Sequence, residues 1–205
     1  MSTETRRYEK KARAAQELQT RERIVEAALA LHGTVGPART TISAIADRAG
    51  VRRATVYRHF PDERSLFIGC SGLWRERYPV PDPNTWADIA DPATRLTAAL
   101  DAIYGWYEDT EPMLTTLIRD MDAVPIVAEL QQGRLEYVAA VEDMLAQGWG
   151  VTGKAATRLR AALALALDFF TWRTLHERGL GRADAIAVAS AGVHAGTHTK
   201  VRVTP

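Results

Sequence analysis

The sequence predicts an all-α protein, with a small three-helix head at its N-terminal end and a larger helical body behind it. Three observations carry this. Apolar residues recur three and four positions apart over most of the 205 residues, the spacing of one face of a helix. No run alternates apolar and polar side chains as a half-buried strand would. Residues 41–60 read as two short helices joined by a glycine turn. At 46% hydrophobic the chain can bury a core, which argues against global disorder. The organisation expected is a basic arm over residues 1–19, the head over 20–67, the body over 68–196 and a flexible tail over 197–205.

The arm, containing Arg6, Arg7, Lys10, Lys11 and Arg13, is either frayed or a helical extension of the first helix of the head. That first helix is expected over 21–32, with Ile24, Ala27, Ala28 and Leu31 as its inner stripe, until Gly33, Gly36 and Pro37 end it. Thr40 or Thr41 can cap a second helix starting at Ile42, whose apolar face is Ile42, Ile45, Ala46 and Ala49. Gly50 supplies the positive φ that turns the chain, and Val51 fills the corner. In the third helix Val56 and Phe60, four apart, face inward.

Arg53, Ala54, Thr55, Tyr57, Arg58 and His59 are left outward. A short helix with such a face fits a major groove, its first residues reaching base edges and its hydroxyls and cations taking phosphates. The candidate DNA-binding residues are Thr41, Ser43, Arg52, Arg53, Ala54, Thr55, Tyr57, Arg58, His59 and Arg64. Charge agrees with this reading. Residues 1–78 hold fifteen Lys and Arg against nine Asp and Glu, whereas residues 79–205 hold eleven against sixteen. A polyanion suits the first part, because neutralised phosphates release counterions.

Thr40-Thr41-Ile42, Ile45-Ala46, Ala49-Gly50-Val51, Thr55-Val56-Tyr57 and His59-Phe60, followed by Leu66, resemble the DNA-binding domain of TetR-family transcriptional regulators over about residues 20–67. The resemblance implies a homodimeric, ligand-responsive regulator, most simply a repressor released from a palindromic operator by a small molecule. Two positions depart from the pattern. His32 stands where the family usually has an aromatic residue, and is expected to be a half-buried substitute. Glu63 stands where a lysine is frequent, so Arg64 is expected to supply the phosphate contact instead.

Pro61 and Asp62 start the fourth helix, with Asp62 as cap and Leu66, Phe67, Cys70, Leu73 and Trp74 as its buried face. This helix is expected to be the only regular element joining head to body, and Gly69 and Gly72 within it either ease bending or admit a close neighbour. Pro79, Pro81 and Pro83 end it. Helices are expected over 92–109, from Pro112 to about Met121, from Pro125 to about 147, over 152–178, and from 182 to about 194. The run 161–170 is apolar on nearly every side and must be covered twice over. Leu165, Phe169 and Trp172 are expected to face their own subunit, and Leu163, Leu167 and Phe170 a partner. By family resemblance the last two long helices form a four-helix bundle between two copies.

An apolar or aromatic small-molecule effector is expected in the body. The candidate contacts are Trp74, Tyr104, Tyr107, Met121, Asp168, Phe169, Trp172 and His176, with Trp106 and Met113 as further apolar groups and Arg119 as a further polar one. Asp168 equally reads as a residue satisfied by a neighbouring group within the fold. No cofactor and no metal are expected: His194 and His198 have helical ligand spacing, but no further ligands complete a site. No phosphate loop, HExxH or nucleotide fingerprint supports an enzyme. The single Cys70 excludes an internal disulfide and reads as a buried, inert thiol. With a charged N-terminus and apolar runs too short for a bilayer, a cytoplasmic protein is expected.

Overall fold

The structure, a computed structural model, describes residues 3–197, with side chains from Arg7 onward. Among the described residues there are ten α-helices and no strand: α1 (Thr3–Thr34), α2 (Ile42–Ala49), α3 (Arg53–His59), α4 (Glu63–Arg77), α5 (Asn84–Ala87), α6 (Pro92–Asp120), α7 (Pro125–Leu145), α8 (Gly153–Leu167), α9 (Phe169–Glu177) and α10 (Arg182–Thr197). They form two compact units. The first holds the described residues up to Pro79 with Glu111–Leu130, and the second holds Val80–Thr110 and the described residues from Gln131. α4 lies wholly in the first unit, whereas α6 and α7 contribute to both. The expectation that α4 alone joins head to body is therefore corrected.

In the first unit the arm is a helical extension, since α1 begins at Thr3. Ile24, Ala27 and Ala28 on α1 are buried together with Ile45, Ala46 and Ala49 on α2, Val56 on α3, Phe60, and Leu66 and Cys70 on α4. Leu31, Ile42 and Val51 pack at the margin of this core. Each helix start and stop has a local cause. The Thr41 hydroxyl accepts the Ala44 N–H at 3.2 Å, and Gly50 closes α2 in the left-handed region at φ 65°, where a Cβ is penalised. Asp62 caps α4 by accepting the Ser65 N–H at 2.7 Å.

The far end of α6 is fastened to the loop between α1 and α2. The Thr116 hydroxyl donates to the His32 carbonyl at 2.7 Å, and the buried Asp120 carboxylate accepts the Ala38 N–H at 3.0 Å. Arg119 donates to the Val35 carbonyl at 2.9 Å and to Asp120. Gly36, at φ 92°, has no room for a side chain here, because a Cβ would collide with both the Arg119 guanidinium and the Asp120 carboxylate. Arg119 is thus committed to this junction, in place of the effector contact expected of it.

Two boundaries in the second half differ from expectation. Pro112 sits inside a continuous α6 and does not start a new helix. Proline costs one backbone hydrogen bond in a helix interior, but Tyr107 before it and Met113 and Leu114 after it are all buried, and packing on both sides keeps the helix going. Conversely, the expected helix over 152–178 is broken at Asp168, whose backbone is extended at φ −75° and ψ 132°. Its carboxylate accepts the Thr171 N–H at 2.8 Å and caps α9. The last carbonyls of α8 are taken up by phenols from α6: Tyr104 donates to Ala166 at 2.9 Å and Tyr107 to Leu167 at 2.6 Å. The break thus recovers hydrogen bonds on both of its sides.

That break also shifts the phase of the faces. Leu163 and Leu167 are fully buried within their own subunit, whereas Leu165 is 63% exposed, so the expected partner face is corrected at these three positions. Phe169 and Trp172 face inward and Phe170 is 49% exposed, as expected. The tail beyond Thr197, with His198, lies outside the described residues. No helix is long and apolar enough to cross a membrane.

Candidate nucleic-acid interface and effector recess

α3 owes its position to Val56 and Phe60, which are buried on the inner side and leave the rest of its surface turned out. Arg52, Arg53, Ala54 and Arg58 are exposed, Tyr57 is 44% exposed, and Thr55 and His59 are half-buried. Thr41 is exposed and Ser43 half-buried at the start of α2. His59 Nε2 is buried with no hydrogen-bond partner among the described residues. The Arg21 guanidinium lies 4.7 Å from the centre of the Phe60 ring and covers the end of the recognition helix.

The cations of this unit fall into two groups. Arg77 is paired with Glu26, Arg119 with Asp120, and Arg64 holds the Glu129 carboxylate with both terminal nitrogens, at 2.6 and 2.5 Å. Arg52, Arg53 and Arg58 have no such partner among the described residues. The phosphate contact expected of Arg64 meets a competitor in Glu129, which already matches its charge and which lies on α7, too far along the chain for spacing to bring it here.

The effector candidates separate by unit. Trp74 and Met121 belong to the first unit, each half-buried. Tyr104, Tyr107, Phe169, Trp172 and His176 come together in the second. The Tyr107 ring lies 5.3 Å from Phe169 and 5.6 Å from Trp172, and His176 stacks on Trp172 at 5.3 Å. Burial pushes both tyrosine phenols above their ordinary pKa, so they stay protonated and act as donors to the α8 carbonyls. Asp168 is exposed and serves as the cap of α9.

Next to this stack the second unit has a recess with about 340 Å³ of empty space, its open mouth included. Its walls are Val80 and Pro81, Ile103, Trp106 and Tyr107 on α6, Arg134, Tyr137, Val138 and Val141 on α7, and Leu167. Of the eight candidates read from the sequence only Tyr107 lines it. The α7 residues escape a sequence reading, although Arg134, Tyr137, Val138 and Val141 stand at i, i+3, i+4 and i+7, the mark of one helix face. Among the described residues no group of three His, Cys, Asp or Glu side chains could hold a metal ion.

A three-helix head with a glycine turn before a short, basic, outward-facing helix defines a helix-turn-helix DNA-binding protein. Residues 24–70 match the family model described as bacterial regulatory proteins, tetR family, and the chain is a TetR-family DNA-binding transcriptional regulator. No curated protein matches the sequence. Solved structures share the fold. A candidate fatty acid metabolism regulator of Clostridium perfringens is 17% identical, with 87% of this chain and 100% of that chain covered and a TM-score of 0.61. NalD, the secondary repressor of the MexAB-OprM multidrug efflux pump in Pseudomonas aeruginosa, is 22% identical over 89% and 97%, with a TM-score of 0.59. A transcriptional regulator from Rhodococcus sp. Rha1 is 18% identical over 85% and 94%, at 0.58.

Proposed function

We propose that the chain is a homodimeric repressor that seats its two α3 helices in successive major grooves of an inverted-repeat operator and leaves it when a small apolar molecule enters the body. The observation that carries this is the division of arginines in the first unit. Arg64, Arg77 and Arg119 are matched by carboxylates, and among the described residues Arg52, Arg53 and Arg58 at the reading helix are not. Cations kept unpaired on one face are available to phosphates and to guanine edges. Repression as the outcome follows the printed name of the Pseudomonas neighbour.

A dimer is supported by the outer faces of α8 and α10. Ala161, Ala164 and Leu165 on α8, and Ala187, Val188, Ala191 and Ala195 on α10, are exposed and follow helical spacing. Polar residues would ordinarily occupy such positions. The two helices approach closely, since a Cβ at Gly196 would lie 3.2 Å from the Arg158 carbonyl oxygen. Selection of bound fragments from random and genomic DNA tests the proposal. Enrichment of an inverted repeat, with half-sites about 10 base pairs or a multiple apart, is expected; enrichment of no sequence, or of isolated half-sites, would overturn it.

A further inference from the structure

The recess on α6 and α7 has one group whose hydrogen-bonding capacity is unspent. The Tyr107 hydroxyl is committed to the Leu167 carbonyl, and the Tyr137 hydroxyl to the Pro81 carbonyl at 2.8 Å. Burial pushes the Tyr137 phenol up to about 12, so it too remains a donor with its proton spent. The Val, Ile, Leu and Pro walls offer nothing polar. Arg134 is different. Its Nε donates to Gln131 Oε1 at 2.9 Å, which fixes the plane of the guanidinium from a side chain that is itself buried. Its two terminal nitrogens have no partner among the described residues, and no carboxylate there pairs with it.

A guanidinium oriented through Nε and open at its terminal nitrogens presents two parallel N–H vectors, the geometry that a carboxylate accepts in bidentate fashion. Set in a wall with Trp106, Tyr107 and Tyr137, it would bind the anionic end of a molecule whose body is apolar. We infer that the recess takes small hydrophobic carboxylic acids, bound as carboxylates by Arg134 with the apolar body against Trp106, Val138 and Val141. This rests on the reading of the body as an effector site and narrows the effector to one chemical class. The volume, at the low end of small-molecule sites, favours a single aromatic ring or a short aliphatic chain. A neutral apolar compound would leave the guanidinium without a partner when it displaced water from the recess, which penalises it relative to the acid.

The test is calorimetric titration of the full chain with benzoate and octanoate and with benzamide and octanamide as their neutral counterparts, run beside the operator-binding assay. The acids are expected to bind at least about tenfold more tightly than the amides, and Arg134→Gln to weaken the acids by about tenfold to a hundredfold while leaving the amides unchanged. Val138→Trp, which fills the recess without altering its charge, should abolish both classes. Circular dichroism establishes that each variant is folded. Equal binding of acids and amides, or of acids to the parent and to Arg134→Gln, would overturn the inference. Acids that bind through Arg134 without changing operator affinity leave it standing and contradict the effector reading. Neutral compounds that release the operator when the acids do not sustain the effector reading and contradict the inference.

Discussion

Burial holds the His32 imidazole neutral. The residue is 3% exposed, stacks on Phe67 with ring centres 4.5 Å apart, and its pKa is lowered by desolvation from 6.5 to about 4. The sequence marks this position as a half-buried stand-in for an aromatic ring; the structure buries it fully and gives it the aromatic neighbour. A proton that binds the unfolded chain near pH 6.5 and the folded chain only near 4 favours unfolding between those values. Stability is therefore complete above about pH 6.5 and falls, by about 3 kcal/mol in all, as the pH drops towards 4. Denaturant titrations of the parent and of His32→Phe across this range should show the decline largely absent in the variant. A parallel decline in both would place its origin elsewhere. Cys70 shows the same physics with the opposite charge sign: burial pushes its thiol up to about 12, which keeps it protonated and unreactive, as its apolar sequence surroundings suggest.

Among the elements, α4 separates two roles that glycine can play. A Cβ at Gly72 meets nothing within 4 Å, whereas one at Gly69 would lie 3.2 Å from Phe60 Cε1 and 3.4 Å from Val25 Cγ2. Gly69 thus admits the ring that closes the end of α3, and Gly72 has no packing duty. Gly72→Ala is expected to stabilise the first unit by about 0.5–1 kcal/mol through reduced backbone entropy of the unfolded chain. Gly69→Ala should gain less or lose, since Phe60 must move by a few tenths of an ångström. The order of the two midpoints in urea checks this, and a greater gain at position 69 would contradict it. The head is legible in the sequence because its signals are local: a cap at Thr41, a positive-φ glycine, an apolar pair four apart. The body is less so. Pro112 is overridden by burial on both sides, and the break at Asp168 needs phenols from α6 to offset its cost. Both depend on packing between segments that the chain brings together only on folding, which periodicity along the chain does not encode. The recess escapes a sequence reading for the same reason, since four of its residues lie on one face of α7 and gain meaning only beside α6 and Leu167.

At the scale of the whole molecule, dimerisation and DNA reading are separable by substitution. Leu165→Glu and Val188→Glu alter side chains that are 63% and 50% exposed in the single chain, so each subunit should fold. An unpaired carboxylate in an apolar seam costs several kcal/mol, and sedimentation should then report monomers. Leu167→Glu is expected instead to unfold the subunit, because that side chain is 2% exposed. A folded, unaltered dimer in both surface variants would move the seam away from α8 and α10. The central claim is that α3 reads DNA with cations the fold leaves unpaired. Its most direct test is the affinity for a selected duplex across a range of salt concentrations, for the parent and for Arg53→Ala. The parent should weaken steeply as salt rises, because released counterions drive binding, and Arg53→Ala should lose about 1–3 kcal/mol at the selected site but little on unrelated DNA. Affinity independent of salt, or a variant that binds the selected site as tightly as the parent, would contradict the account.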